Sequence, residues 1–281
     1  MNQRGAEKMY KISCFADEIS PDLQEQIAVV KEHNIEYISF RSVWNKFVGQ
    51  LNDEELKTVK NELEKNGIKV SSIGSHIGKI TMQDDFEEHL KLFQRMLYVA
   101  KLMESQYIRI FSFFMERKDF SRYENEVIGR IAKMVRMAEN EGIILIHENE
   151  TDVFGDNADN CLKLYKMIDS KNLRHCFDPC NFVAAGEDVW NESFPKLKDF
   201  IEYFHVKDYI YEKKTTCVAG TGDAHIPELL DALKDRPFMF LTLEPHLISG
   251  NNKSGFTGPD LFSKNHTALV NILKSISAKY E

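Results

Sequence analysis

Four short apolar runs in the second half of this chain each lead into a side chain that can ligate a metal. The runs cover 143–146 before Glu148, 173–177 before Asp178, 201–204 before His205 and 238–243 before Glu244. The four residues are separated by 30, 27 and 39 positions, each enough for one helix and a return strand. Successive parallel strands therefore bring three carboxylates and one imidazole to the same end of one sheet. A hard or borderline divalent cation is the simplest way to neutralise such a cluster.

The rest of the chain keeps the same alternation. Strands are expected at 11–15, 37–41, 69–74 and 107–113 in the first half. Between them, Ser20-Pro21-Asp22 opens a helix to about His33, with Pro21 in its first turn. Asn52 or Asp53 opens a second helix closed by Asn66-Gly67, 84–103 reads as a third, and 119–141 as a fourth stopped by Gly142. Helices at 156–170, 227–234 and from Gly258-Pro259 to about Ile276 follow, with a less regular stretch near 187–200. Eight strands alternating with eight helical stretches predict a closed (β/α)8 TIM barrel, a single domain over residues 1–281. An open doubly wound sheet would carry a glycine-rich fingerprint after the first strand, and none is present.

Composition narrows the partners. A net charge of −8 argues against a nucleic-acid partner, which requires a concentrated basic face. No apolar run approaches the ~20 residues that span a membrane. The first eight residues contain no apolar h-region, so secretion is not expected. Cys14, Cys161, Cys176, Cys180 and Cys217 are odd in number and form no C-x-x-C pair. Cys176 and Cys180 bracket Asp178 but read as small buried hydrophobes, and a reducing cytoplasm follows.

The period of two in a strand gives the four candidates a common side. Glu148 shares a face with Ile146 and Ile144, His205 with Tyr203, and Glu244 with Thr242 and Phe240. If those faces point inward, all four stand over the carboxyl-terminal mouth, where such barrels carry their chemistry. Lys207 and His246 lie two residues beyond His205 and Glu244 and are candidate substrate contacts, as is Asn181 after Asp178. Arg41 and His76 end the second and third strands; Arg41 can bind an anionic group or pair with Glu18. His147 alternates away from Glu148 and reads as a buried structural histidine. Trp44, Phe47, Phe113 and Phe114 are aromatics near the mouth that either pack the core or stack on a sugar ring. The Gly220-Thr221-Gly222 turn offers backbone amides to a phosphate, or is simply a turn before the next helix.

Five motifs together resemble a known family. They are His147-Glu148-Asn149-Glu150, Phe177-Asp178-Pro179-Cys180-Asn181-Phe182, His205-Val206-Lys207-Asp208, Gly220-Thr221-Gly222-Asp223 and Leu243-Glu244-Pro245-His246. In this order they resemble the xylose-isomerase-like barrels, specifically the sugar phosphate isomerase/epimerase branch. The resemblance implies that Glu148, Asp178, His205 and Glu244 hold a divalent ion. It also implies that Glu148 and Glu244 are the catalytic acid–base pair, one on each face of a bound sugar. Manganese is the first expectation for the donor set, with magnesium, cobalt and zinc also compatible. The expected reaction is isomerisation or epimerisation by proton transfer beside a carbonyl; dehydration of a keto-inositol or related polyol on the same site is the alternative. A DNA-repair endonuclease of the related barrel type needs several more histidines at strand ends. The substrate and the oligomeric state, a homo-oligomer included, are not legible.

Overall fold

The computed structural model describes residues 9–248 and 255–281. The first eight residues, read above as lacking a secretory segment, lie outside the described residues. Eight parallel strands close into a barrel in sequential order. They are β1 (Tyr10–Cys14), β2 (Tyr37–Phe40), β3 (Lys69–Ile77), β4 (Tyr107–Ile110), β5 (Ile144–Glu148), β6 (Leu173–Phe177), β7 (Ile201–Val206) and β8 (Met239–Leu243). The ring closes through β1 on β8, registered from Tyr10 opposite Met239 to Cys14 opposite Leu243. Helices pack around it, and each is cut from sequence by local chemistry. Asn52 and Glu55 form a reciprocal capping box at the start of α2 (Asp53–Lys65). Gly142, at φ 69°, stops α4 (Phe120–Glu141). Along α4, Val127, Ile131, Met134, Val135 and Ala138 are buried, a stripe of helical period that faces the strands. No helix among the described residues is long and apolar enough to cross a membrane.

Three details differ from the reading of the sequence. The first helix, α1 (Leu23–Glu32), is capped by Asp22, whose carboxylate accepts from the amides of Gln24 and Glu25; Pro21 therefore precedes it. A short helix at Pro179–Ala184 follows β6 directly, capped by Asp178. Two-stranded ribbons, Ser42–Val43 with Lys46–Phe47 and Asp208–Ile210 with Thr215–Cys217, rise from the ends of β2 and β7. Elements of two or three residues carry too little periodicity to be legible. The stretch expected to be irregular is a π-turn at Val189–Ser193, one α-turn and a 3-10 turn.

Layers in the lumen set the height of the site. Tyr107, Ile146, Cys176, Tyr203 and Phe240 form an apolar layer inside the barrel. The Tyr203 hydroxyl gathers Thr242 Oγ1 at 2.7 Å, Ser71 Oγ at 2.8 Å and Ser72 Oγ at 3.1 Å. Ser13 and Ser39 extend this network to Ser71 and Ser72. Two residues beyond Ser13, Ser39, Ser72, Tyr107, Ile146, Cys176, Tyr203 and Thr242 lie Phe15, Arg41, Gly74, Arg109, Glu148, Asp178, His205 and Glu244. The pleat thus lifts eight positions together to the carboxyl-terminal mouth.

On β5 and β6, His147 and His175 each meet the Tyr165 hydroxyl of the helix between them through Nδ1, at 2.9 and 2.6 Å. Burial holds the His147 imidazole down to about 4 and His175 well below its usual range. An imidazole kept neutral in the fold titrates near 6.5 once unfolded, so its stabilisation is complete above that pH. It is lost as the pH falls from 6.5 toward 4, about 3 kcal/mol for His147. His147→Gln is expected to lower stability at pH 7 yet lose less between pH 6.5 and 4 than the wild type in denaturant titrations. Equal acid losses would remove this account. A second prediction concerns backbone packing. Gly67 and Gly78 both have positive φ, but a Cβ at Gly78 would stand 2.1 Å from the Phe111 carbonyl oxygen, whereas nothing lies within 4 Å at Gly67. Gly67→Ala should cost about 1–2 kcal/mol, and Gly78→Ala at least ~3 kcal/mol because backbone must move as well. Equal losses on chemical unfolding would show that the contact relaxes freely.

Candidate active site

Glu148 is the last residue of β5, His205 lies within β7, Asp178 directly follows β6, and Glu244 directly follows β8. All four are buried, and one ligand atom from each lies within 4.8 Å of the others. His205 Nδ1 is 3.0 Å from Glu244 Oε2, 3.2 Å from Glu148 Oε1 and 3.8 Å from Asp178 Oδ2. Asn149 fixes Asp178 by donating to its carbonyl at 2.8 Å and accepting from its amide at 3.0 Å. Asp178 Oδ1 accepts the amide of Asn181, which leaves Oδ2 for the cluster.

Each glutamate turns one oxygen toward His205 and the other away. The outward oxygen of Glu148, Oε2, is 3.2 Å from Arg109 Nη1, and that of Glu244, Oε1, is 3.7 Å from the same nitrogen. Glu244 Oε1 also accepts from Arg41 Nη1 at 2.9 Å. The two guanidiniums lie on the Phe15 ring, with their carbons 4.4 Å (Arg41) and 5.0 Å (Arg109) from its centroid. Gly74 makes room for this stack: a Cβ there would come within 2.7 Å of Phe15 and 2.9 Å of the Arg41 side chain.

Charge and unsatisfied atoms both bear on whether a cation fits. The network contains the carboxylates of Asp17, Glu18, Glu148, Asp178 and Glu244 against the cations of Arg41, Arg109 and Lys207. Five negative and three positive charges leave two negative before His205 and His246 are counted, a deficit that one divalent cation or two imidazoliums would balance. Glu148 Oε2, Asp178 Oδ2, Glu244 Oε2 and both ring nitrogens of His205 are buried without a hydrogen bond of good geometry, although Lys207 Nζ already stands 2.7 Å from Asp178 Oδ2 and Arg109 Nη1 3.2 Å from Glu148 Oε2. The electrostatics draw positive charge inward. Burial opposes an imidazolium at His205, yet Cys176, Glu148 and Glu244 raise its pKa well above the usual range. Burial would likewise raise the Glu148 carboxyl, but His205 and Arg109 bring it down to about 2. Three carboxylates and an imidazole, buried and converging, therefore form a set that can hold a divalent ion.

The secondary residues take distinct places. Lys207 is buried and pairs with Asp178 Oδ2 at 2.7 Å and Glu244 Oε2 at 3.5 Å. His246, at φ 50°, places Nε2 3.1 Å from Glu18 Oε1 and 3.5 Å from Glu244 Oε1. Asn181 Nδ2 reaches Glu148 Oε1 at 3.3 Å and the Asn149 carbonyl at 2.9 Å. Arg41 pairs chiefly with Asp17, at 2.7 Å, and lies 3.9 Å from Glu18. His76 stands apart from the four, edge-on to Phe47 at 4.2 Å; burial and the charge of Arg109 push its pKa down to about 3. Phe113 is core, while Phe47 is the most exposed of the four aromatics. The amides of Gly220 and Gly222 are taken by Asp208 Oδ2 at 2.8 and 3.0 Å, so that turn holds a carboxylate of the chain itself.

Arg109, Phe15 and Asp17 were not singled out from sequence, and Glu18 was named there only as a candidate partner of Arg41. Arg109 was detectable: it alternates with the lumen residue Tyr107 inside an otherwise apolar strand, where an unpaired guanidinium would be costly. Asp17 and Glu18 lie in a 3-10 turn after β1, where sequence carries no directional signal.

Comparison with known proteins agrees with this architecture. A curated relative, the 3-dehydroshikimate dehydratase of Bacillus anthracis, is 22% identical over 170 residues, 59% of this chain; the chain spans 60% of that relative's length. Among solved structures, the probable 3-DHS dehydratase involved in petrobactin synthesis from Bacillus anthracis superposes with a TM-score of 0.75 at 19% identity, over 94% of this chain and 99% of that one. A D-tagatose 3-epimerase-like protein superposes with a TM-score of 0.73 at 17% identity, over 96% and 98%. The sequence model of one family of enzymes matches residues 27–256, most of the barrel with three of its four converging ligand types on β5 to β7 and the fourth just after β8. The chain belongs to the xylose isomerase-like TIM barrel family.

Proposed function

We propose that this chain is a metal-dependent isomerase or epimerase of a sugar or sugar derivative, with Glu148 and Glu244 as its acid–base pair. One observation carries the proposal: the outward oxygens of both glutamates face a common point, within 3.7 Å of one nitrogen, while their inward oxygens face His205. A carbon at that point could give a proton to one carboxylate and recover one from the other. A divalent ion held by Glu148, Asp178, His205 and Glu244, manganese first and magnesium, cobalt or zinc next, would supply Lewis-acid stabilisation of the charge that develops. On this reading His246, beside the outward oxygen of Glu244, and Lys207 and Asn181, beside the inward oxygens, would hold substrate oxygens, with Arg41 and His76 as further contacts. Five cysteines without a disulfide suit a cytoplasmic setting.

Dehydration of a keto-polyol is the second reading. The Glu244 outward oxygen is already hydrogen-bonded to Arg41 at 2.9 Å, whereas that of Glu148 has no hydrogen-bond partner. A single freer base fits proton removal from one face followed by loss of a neighbouring hydroxyl. The similarity to a 3-dehydroshikimate dehydratase points the same way.

Both readings begin with loss of a carbon-bound proton, so exchange with solvent tests them together. Metal-loaded protein incubated with ketoses and keto-polyols in deuterated water should label the carbon beside the carbonyl. A labelled epimer or isomer supports the first reading; an unsaturated ketone supports the second. Glu148→Gln and Glu244→Gln, assayed at measured metal occupancy, should each slow exchange by about 10²–10⁴-fold. If both fully metallated variants exchange at the wild-type rate, the glutamate pair is wrong. Separately, Asp178→Ala should weaken metal binding at least tenfold by calorimetry; undiminished affinity would remove Asp178 from the ligand set.

A further inference from the structure

Arg109 stands where a substrate carbon has to stand. Its Nη1 lies 3.2 Å from Glu148 Oε2 and 3.7 Å from Glu244 Oε1. A carbon exchanging its proton with either oxygen must come within roughly 3–3.5 Å of it. The guanidinium and the reacting carbon cannot share that point. We infer that Arg109 is a catalytic residue: substrate displaces it from between the glutamates, and it then binds the substrate oxygen that gains negative charge. The inference rests on the proton-transfer reading of Glu148 and Glu244.

The anchorage of Arg109 permits that movement. Among the described residues its guanidinium makes one hydrogen bond, from Nη2 to the Ser75 carbonyl at 3.2 Å, and its Nε is buried without a partner. The guanidinium carbon lies 5.0 Å from the Phe15 ring centroid and 4.8 Å from that of Phe111. Contacts with aromatic faces tolerate sliding, because they lack the directionality of a hydrogen bond. Arg41 is the contrast. It donates from Nε to Asp17 at 2.7 Å and from Nη1 to Glu244 at 2.9 Å, and Asp17 is itself held by Ser42 at 2.8 Å. Of the two stacked arginines, Arg41 is pinned and Arg109 is loosely held.

The destination follows from charge. Among the described residues, Arg109 forms ion pairs with Glu148 and Glu244. A buried guanidinium that leaves both needs a new anionic partner. The proton passes from carbon to Glu148 Oε2, the electron pair of the C–H bond moves into the enolate, and the carbonyl oxygen gains the charge. Arg109 donates to that oxygen, and the step needs no oxidant or reductant. The interaction strengthens as the charge forms, so it raises turnover more than it improves ground-state binding.

The test uses the full-length, metal-loaded chain with Arg109→Ala and Arg109→Lys, with metal content and thermal melts recorded for each. Two readouts separate this inference from the reading beneath it. The first is calorimetric binding of a four-carbon polyhydroxy hydroxamate, an enediolate mimic that needs no turnover. The second is deuterium exchange into whichever ketose or keto-polyol the wild type labels. Arg109→Ala should weaken hydroxamate binding at least tenfold and lower the exchange kcat by about 10²–10³-fold, with a smaller change in KM. Arg109→Lys should recover part of the loss, and added guanidinium ion should partly restore Arg109→Ala, which a purely structural role does not allow. If the wild type labels substrate and the folded, metallated Arg109→Ala variant matches it in both readouts, Arg109 has no catalytic role and the glutamate reading stands. If hydroxamate binding depends on Arg109 but the wild type labels no substrate, the anion-binding role stands and the proton-transfer reading falls. Faster exchange in Arg109→Ala overturns the inference in favour of an obstructing arginine.

Discussion

Five carboxylates are gathered at the barrel mouth, and the need to compensate their charge shapes everything around them. Removing one partner from a buried ion pair costs about 3–5 kcal/mol, so each carboxylate must find a cation or a donor. Arg41, Arg109 and Lys207 each touch two or more of them, and Glu244 alone meets all three. The arginines fit because Phe15 offers its ring to both and Gly74 leaves space beneath. Glu18 faces the His246 imidazole with Oε1 and holds the two loops together with its other oxygen. Its Oε2 accepts the His246 amide at 2.9 Å and the Thr257 hydroxyl at 2.6 Å, which ties the β1 loop to the segments after β8.

Rigidity beneath the site comes from a different chemistry. The Tyr203 hydroxyl joins β7 to β3 and β8, and serines on β1 and β2 complete the plate. Buried hydroxyls that satisfy one another fix the relative heights of the strands. The side chains two residues above therefore start from set heights. The side-chain amide of Asn149 extends the pairing of β5 with β6 past the ends of both strands, which is why Asp178 is fixed although it lies outside the sheet.

Proteins similar in fold to this one include an epimerase-like protein and a dehydratase, so the barrel does not choose the reaction. On the proton-transfer reading proposed above, the choice would fall to what surrounds Glu148 and Glu244. Equal access to both outward oxygens would allow a proton to leave one face and return on the other. An arginine fixed on one of them, as Arg41 is on Glu244, makes the two faces unequal.

Much of this was already determined by the sequence. Glu148, Asp178, His205 and Glu244 are legible because strand periodicity and helix-length spacing are local properties, and a parallel barrel converts them directly into a shared mouth. Gly142 and Asn52 end and begin their helices for reasons that lie within a few residues. What the tertiary structure alone decided is which charges meet. Arg109 and Glu148 are 39 residues apart, Arg41 and Glu244 are 203, and Glu18 and Thr257 are 239. No local pattern encodes such a pairing. Ring closure of β1 on β8 brings the first loop against the last, and only then does a turn carrying Asp17 and Glu18 become part of the site. Within the loop after β7, the ribbon of Asp208–Ile210 with Thr215–Cys217 brings the Asp208 carboxylate to the amides of Gly220 and Gly222, so amides that sequence left open to a phosphate are already satisfied. Sequence spacing places side chains along the chain; hydrogen bonding and desolvation across the barrel decide their partners.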